Sequence, residues 1–449
     1  MGVVPLADHA TWMAHVTGQR SVIQYLWRYD RPVDPDALRV FESHLRRGRL
    51  ARVIRPALLP GCRPTWAAVP PAAATCTTSR PPLPPDAMAG WADAQIELPI
   101  DPARGPAWNL TARRFGDATT LVSLVVSHAI ADGMGTTLAV CEAVRGEERP
   151  VAWPPLGSRR PLGAVGREAA RFVADLPAVG RALGASVRPR ARGNGDDRAG
   201  PEPRGTTAMT GATGAGTDHI ALPTVHLRVP VAAWDARARA LGGNRFTLLT
   251  AVTVALGDRL GRARDGQVTL FIPIDQRDGA DDDGGNRVTL ARTSVDRAWI
   301  AGPLGALQRT VQRGLVAARR NPDPLAALLP LVPFVPRRGF AALTDRALRA
   351  SAERPVTLTH LGVMPDELLR IDGQDADRFA VRGVDQGLRR AAIERRGGVA
   401  TLVSAVTGDA LLLNVIAWEA GVVTTPGELR DVVDPILAGH GLRGVPFHG

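Results

Sequence analysis

The 449-residue sequence contains no lysine, so its positive charge comes entirely from arginine. This absence excludes mechanisms that need a lysine amine, such as a pyridoxal Schiff base, a catalytic lysine or a P-loop lysine. The net charge of +11 favours anionic partners, for example a phosphorylated small molecule, an acidic protein or a membrane surface. The arginines are scattered and match no nucleic-acid-binding motif, so no nucleic acid partner is expected.

Cysteine is scarce, and long apolar runs are absent. The three cysteines, Cys62, Cys76 and Cys141, are odd in number and widely spaced, so they indicate neither a disulfide framework nor a metal site. No run approaches the roughly 18 to 20 apolar residues that a membrane span needs, although peripheral membrane contact stays open. The amino terminus has no basic region followed by an apolar core, as a secretory signal would. The sequence therefore predicts a cytoplasmic protein without a transmembrane segment.

The chain is long for a single hydrophobic core, so two domains are expected. Residues 186–219 are rich in Gly, Arg, Pro and Thr and predict a linker between residues 1–185 and 220–449. Helical and strand-like patterns are mixed on both sides of it, which predicts an α/β fold. Among these patterns, Ala94–Leu98 is predicted as a strand and Arg338–Ser351 as a helix.

The most informative segment is TLVSLVVSHAIADGMGTTLAV, around His128. The apolar run Thr120–Val126 predicts a buried strand that ends at His128, and a helical segment follows Asp132 and Gly133. The pattern is H-x-x-x-D-G. It proposes a general base held at a strand end by a turn, because imidazole exchanges protons near neutral pH.

Four stretches together resemble the coenzyme A-dependent acyltransferases of the chloramphenicol acetyltransferase-like fold. This superfamily includes peptide-synthetase condensation domains and the wax ester synthase/diacylglycerol acyltransferase group. The likeness covers nearly the whole chain except the linker. The stretches are WADAQIELPIDPARGPAWNLTARRFGDATTLVSLVVSHAIADG (91–133), FIPIDQR (271–277), GGNRVTL (284–290) and LTHLGVMPD (358–366).

The resemblance implies two domains of similar topology with an active-site tunnel between them and His128 near its middle. It implies acyl transfer from a thioester to a hydroxyl or amine, with His128 as the base. Asp132 would point away from the tunnel and pair with Arg277, while Gly133 would allow a tight turn. The co-substrate would be acyl-coenzyme A or a phosphopantetheine thioester, with no bound cofactor and no metal. The partners would be a small-molecule donor and acceptor, with an acyl or peptidyl carrier protein as an additional candidate.

Three further residues are candidates for substrate binding. Ser127 occupies the place of a first histidine that many relatives carry, and it could orient a substrate or cap a turn. His360 replaces an asparagine of the second-domain strand, and it could contact substrate or be an ordinary strand-end histidine. Asn286 lies in the Gly-Asn segment. For His128 itself, the alternative is a buried histidine of the core.

Two other functions remain open at this point. The chain could be a free-standing condensation enzyme that joins two carrier-bound substrates, or an inactive relative that docks a carrier or binds a ligand.

Overall fold

The computed structural model of the protein describes residues 2–69, 81–116, 118–149, 153–158, 163–187, 219–279, 282, 285–300, 302–320, 326–340 and 354–447. Within these residues the strands form a four-stranded sheet, a seven-stranded sheet and a two-stranded ribbon. None of the helices in this part of the chain is long and apolar enough to cross a membrane.

The first half of the chain builds most of the four-stranded sheet. Its elements are α1 (Leu6–Val16), β1 (Arg20–Tyr29), α2 (Pro35–Leu45), β2 (Arg52–Arg55), β3 (Thr65–Ala68), α3 (Met88–Ile96), β4 (Trp108–Phe115), β5 (Thr119–Ser127), α4 (Gly133–Val144) and α5 (Ala164–Val187). β1, β5 and β4 lie side by side and antiparallel, and β2 pairs with β3 in the ribbon.

The second half builds the seven-stranded sheet. Its elements are β6 (Thr224–Pro230), α6 (Val231–Ala240), α7 (Arg245–Arg259), β7 (Gln267–Asp275), β8 (Val288–Asp296), α8 (Gly305–Arg320), β9 (Val356–Val363), β10 (Arg378–Gln386), α9 (Arg390–Arg395), β11 (Val399–Thr407), β12 (Ala410–Trp418), α10 (Pro426–Gly439) and β13 (Val445–Pro446). The strand order is β13-β6-β12-β11-β9-β7-β8, and β9 runs parallel to both of its neighbours. Short 3-10 helices lie at Pro85–Ala87, Arg297–Ile300, Ala326–Phe334 and Asp366–Leu369.

Strand β5 is buried along almost its whole length because helices cover both faces of its sheet. Neighbouring residues of a strand point to opposite faces, and two residues of β1 show which helix covers which. Gln24 donates from Nε2 to the carbonyl of Ala92 in α3, whereas the Tyr25 hydroxyl donates to the carbonyl of Gly133 in α4. An apolar strand without alternation is therefore stable here, and it ends at the position of His128.

The second half of the chain contributes one strand to the first sheet. β10 belongs to the second half in sequence, but it pairs antiparallel with β1 from Arg20↔Gln386 to Arg28↔Arg378 and completes the first sheet. Its Phe379 packs edge-on against Tyr25, with the ring centroids 5.3 Å apart. The hydrophobic core of the first half thus includes side chains that lie more than 350 positions away in sequence.

The predicted mixture of helices and strands is confirmed, with one local correction. Ala94–Leu98 is not a strand, because residues 88–96 form α3 and bury Ala92, Gln95 and Ile96 at helical spacing. The predicted linker and the predicted helix Arg338–Ser351 lie largely outside the described residues, as does Cys76. The division at residues 185 and 220 stays a prediction. β10 lies after this division in sequence but belongs to the sheet formed by the residues before it.

Candidate active site

His128 follows the last residue of β5 and lies at one end of the four-stranded sheet. Its backbone N–H donates to the carbonyl of Ser21 at 2.9 Å. Val22 is opposite Ser127, so Ser21 is opposite His128 when the register continues by one residue. Asp385 of β10 is in turn opposite Ser21, and the Ser21 hydroxyl donates to its Oδ1 at 2.5 Å. Paired residues share a face of a sheet, so β10 brings an acidic residue of the second half into the row that contains His128.

The imidazole of His128 is only partly buried, in contrast to the β5 residues before it. Its Nδ1 atom is inaccessible to solvent and has no hydrogen-bond partner among the described residues. The main chain, however, is held on both sides, since the carbonyl of His128 accepts from Nδ2 of Asn286 at 2.8 Å. The ring is therefore anchored through its backbone and not through a carboxylate.

Asp132 caps α4, and both of its carboxylate oxygens are engaged. Oδ1 accepts from the backbone N–H of Gly135 at 2.7 Å and lies 2.8 Å from Nη2 of Arg277. Oδ2 accepts from the backbone N–H of Arg287 at 2.9 Å. Such a cap is worth about 1 kcal/mol. Asp132 consequently does not orient the His128 ring, and these two side chains do not pair.

Arg277 lies just beyond β7 and reaches Asp132 from the second half of the chain. Its side chain is 4% exposed, and it also contacts Asp275 Oδ1 at 3.0 Å and the carbonyl of Gly285 at 3.1 Å. Burial disfavours the charged guanidinium, but the Asp132 and Asp275 carboxylates outweigh it and raise the pKa of Arg277. The ion pair is therefore a charged contact between the halves.

Gly133 is the first residue of α4 and does not adopt a left-handed backbone conformation. Gly133 therefore does not serve a turn that needs a positive φ, and the space around it explains the glycine instead. A Cβ atom at Gly133 would lie 3.1 Å from Cδ2 of Leu361 in β9. At Gly135, a Cβ atom would lie 3.0 Å from Nη2 of Arg277. Both glycines allow the start of α4 to approach the second half closely.

The three candidates for substrate binding have different surroundings. Ser127 is fully buried, and its Oγ accepts from the backbone N–H of Ala129 at 3.3 Å, as a turn cap does. The ring centroid of His360 lies 6.0 Å from that of Phe246 in α7. Burial lowers the pKa of His360, as does the charge of Arg245, against a hydrogen bond from the imidazole to the backbone of Ser404, which raises it. Asn286 is buried and bonded to the His128 carbonyl, so the structure brings Asn286, and not His360, to the loop of His128 by direct contact.

Sequence reasoning missed two charged residues that support this loop. Asp8 of α1 accepts from the backbone N–H and from Nδ2 of Asn286, at 2.6 and 2.5 Å. Arg52 of β2 donates from Nη2 to the carbonyl of Ile130 at 2.5 Å. Both belong to elements remote in sequence and carry no motif. The signal for Asp8 is a charged residue in a mainly apolar segment, whereas Arg52 lies among several other arginines and gives no signal.

No cluster of three or more His, Cys, Asp or Glu side chains that could hold a metal ion occurs among the described residues. The candidate site thus consists of His128, its backbone contacts to Ser21 and Asn286, and the Asp132–Arg277 ion pair beside it. Chemically, this arrangement offers one proton acceptor on a fixed main chain.

No family model matches the sequence, and no curated protein matches it either. Solved structures do match in fold. The first condensation domain of the CDA synthetase has a TM-score of 0.55 and 17% identity, covering 98% of this chain and 96% of the other. The first condensation domain of the calcium-dependent antibiotic synthetase with substrate analogue 2a has a TM-score of 0.56 and 17% identity, with coverage of 98% and 95%.

A longer chain gives a similar result. The nonribosomal peptide synthetase FmoA3 with AMPPNP bound has a TM-score of 0.53 and 16% identity, covering 98% of this chain and 42% of that chain. At these identities the likeness is one of fold. It confirms that the chain has the mixed α/β fold of the condensation domains.

Proposed function

We propose that the protein is an acyltransferase that moves an acyl group from a coenzyme A or carrier-protein thioester to a hydroxyl or amine. The observation that carries the proposal is the set of hydrogen bonds around His128. Its main chain is fixed by Ser21 on one side and Asn286 on the other, while Nδ1 has no partner among the described residues. An imidazole on a fixed main chain that is not engaged by a carboxylate suits a general base.

The proposed reaction needs one proton acceptor and no covalent enzyme intermediate. The imidazole of His128 takes the proton from the acceptor O–H or N–H as the acceptor oxygen or nitrogen bonds to the thioester carbonyl carbon. The tetrahedral intermediate then expels the sulfur as the C–S bond breaks. The imidazolium returns the proton to the departing thiolate, so the products are an ester or amide and a free thiol. Histidine carries out both transfers because its ordinary pKa is near neutrality.

The neighbouring ion pair has a supporting role in this proposal. Asp132 and Arg277 fix the first turn of α4 against the second half, and Asp132 also binds the backbone of Arg287. Gly133 and Gly135 let that turn lie close to Leu361 and Arg277. His128 is therefore held where the two halves meet, as a site for two substrates requires.

A second candidate is a condensation enzyme that joins two carrier-bound substrates. It is favoured by the fold, because the solved structures of similar fold include condensation domains of peptide synthetases. The two candidates differ in the donor and acceptor that they accept. Soluble acyl-coenzyme A with a free acceptor supports the first, and a requirement for two loaded carrier proteins supports the second.

The test is acyl transfer by the His128→Ala variant. A panel of acyl thioesters is first offered to the wild-type protein with hydroxyl and amine acceptors, and the product is detected by mass spectrometry. With an accepted pair, H128A should lower kcat by about 10²- to 10⁴-fold, the usual contribution of a general base. The matched control is His440→Ala, which changes a buried histidine at the end of α10 and should retain the activity. Full activity of a folded H128A variant contradicts the mechanism, and a wild-type protein that binds thioesters without turnover contradicts the enzyme assignment.

A further inference from the structure

Asp8 is a buried carboxylate in the first turn of α1, a helix to which the H-x-x-x-D-G pattern gives no role. Oδ1 of Asp8 accepts both hydrogen bonds from Asn286, from its backbone N–H and from its Nδ2. Oδ2 is buried and has no hydrogen-bond partner among the described residues. Burying a carboxylate costs free energy unless hydrogen bonds or nearby positive charges stabilise it, so the contacts of Asp8 to Asn286 are important for its charged form.

These contacts set the orientation of the Asn286 side chain. An ionised carboxylate only accepts hydrogen bonds, so Asp8 requires the nitrogen end of the amide to face it. That same Nδ2 donates its second proton to the carbonyl of His128 at 2.8 Å. Asp8 Oδ1 and the His128 carbonyl thus both select the nitrogen end of the amide, and the negative charge on Asp8 strengthens this selection. A flipped amide would place an oxygen against that carbonyl and break the contact.

Close packing leaves this contact little freedom. A Cβ atom at Gly285 would lie 2.7 Å from Oδ1 of Asp8 and 2.8 Å from the carbonyl oxygen of Ile130. Arg52 donates to the same Ile130 carbonyl, and its guanidinium lies 4.8 Å from the Trp66 ring centroid. Residues 285–287 therefore hold the loop after β5 at two points, through Asn286 at His128 and through Arg287 at Asp132.

We propose that Asp8 is a positioning residue for His128, acting through the side-chain amide of Asn286. This inference rests on the proposed function for its kinetic consequence, but its structural content does not depend on catalysis. Asp8 touches no reacting atom. It fixes the peptide group that follows His128, and hence the direction in which the imidazole leaves the main chain.

The ionisation of Asp8 gives the proposal a distinctive pH dependence. Burial raises the pKa of Asp8 to about 6, against the lowering effects of Arg52 and of the hydrogen bonds from Asn286. Arg52 from β2 and Asp132 from the loop before α4 are the other charged groups that act on it. Above pH 6 the carboxylate is ionised and accepts charge-assisted hydrogen bonds from Asn286, whereas below pH 6 Asp8 is neutral, like an asparagine, and holds the amide less strongly.

The first experiment compares kcat of the wild-type protein and of Asp8→Asn between pH 5 and 8. The ratio of the two rates cancels every titration that both proteins share, that of His128 included. We expect a ratio of about ten at pH 8 that approaches one below pH 6, with little change in KM. The matched control is Glu168→Gln, a buried carboxylate that accepts from the backbone N–H groups of Leu58 and Leu59, and its ratio should not depend on pH. A pH-independent ratio for D8N overturns the proposal.

A second experiment measures the loop without using activity. Backbone hydrogen exchange, followed by mass spectrometry on peptides that span residues 126–134, should be faster in D8N than in the wild-type protein and unchanged in E168Q. Faster exchange in a protein without acyl transfer supports the positioning role and contradicts only the proposed function. Unchanged exchange overturns the positioning role.

Discussion

Arg277 and Asp132 form an ion pair that joins the two halves of the chain next to His128, with 2.8 Å between Nη2 and Oδ1. The two residues are 145 positions apart and have side-chain exposures of 4% and 7%. The pair therefore replaces the Asp–His contact that the H-x-x-x-D-G spacing alone would permit. As a result, the aspartate stabilises the junction of the two halves and does not contact the imidazole of His128.

Loss of Arg277 should destabilise the protein strongly. Arg277→Met leaves the buried Asp132 carboxylate without its counter-charge, and the free energy of unfolding should fall by about 3–5 kcal/mol. The control is Arg245→Met, because Arg245 pairs with Asp235 at a partly exposed position. That change should cost about 0.2–1 kcal/mol. Guanidinium denaturation at pH 7.5 measures both, and equal losses would contradict the structural role of the Arg277 pair.

A methyl group at Gly133 should disturb the contact between α4 and β9. In Gly133→Ala the new Cβ would lie 3.1 Å from Leu361 Cδ2, and such overpacking costs about 1–3 kcal/mol. Leu361→Ala in the same protein should relieve most of this cost. Gly90→Ala in α3 is the control, since nothing lies within 4 Å of its Cβ position, and alanine there should stabilise by up to about 1 kcal/mol. Thermal unfolding of the four proteins distinguishes a local clash from a general effect of alanine.

His360 should contribute much less to turnover than His128. Its ring contacts Phe246 of α7, and the loop of His128 is held by Asn286 and not by His360. His360→Ala should reduce kcat by less than about tenfold, against the 10²-fold or greater loss expected for a general base. The acyl-transfer assay that tests H128A measures this directly. A loss as large as that of H128A would assign His360 a role in the reaction itself.

Neighbouring residues of α1 should give opposite contributions to stability in acid. Burial, with help from Arg63, lowers the pKa of His9 to about 4. The unfolded chain therefore binds a proton at His9 below about pH 6.5 while the folded chain does not, and stability is lost as pH falls from about 6.5 to 4. Asp8 has a raised pKa of about 6, so the folded state binds its proton first and stability increases as pH falls from about 6 to 4.

Denaturation curves at pH 7.5, 6 and 5 separate these contributions. Compared with the wild-type protein, His9→Phe should lose stability less steeply on acidification, and Asp8→Asn more steeply. Each slope should change by at most about 1.4 kcal/mol per pH unit, the value for one proton. Changes of the same sign in both variants would show that burial does not set these two ionisations.

The part of the fold that sequence patterns predicted is the part determined by neighbouring residues. The apolar run of β5 is continuous, and α4 begins at an aspartate whose side chain caps it. Capping and periodicity act over a few residues, so they can be read from one chain. Ala94–Leu98 was the exception, because a short apolar segment does not distinguish a strand from the last turn of a helix.

The surroundings of His128 depend on contacts that no local pattern contains. Asp8 meets Asn286 across 278 positions, and Asn286 meets His128 across 158. Asp8 also breaks the usual rule for its type, because a fully buried carboxylate is rare and depends on its donors. The sequence predicted Asn286 as a candidate without its function, and it gave no indication of Asp8.

The position of β10 in the first sheet has a consequence for biosynthesis. Until the ribosome has made residues 378–386, the N-terminal sheet has β1 as an open edge, and the pairing of Arg20 with Gln386 requires nearly the whole chain. Unpaired edges bind other strands readily, and pairings so distant in sequence form slowly. An N-terminal fragment that stops before β10 would therefore expose β1 as an unpaired edge strand. Separate expression of the two halves should yield aggregates, and their co-expression should restore soluble material.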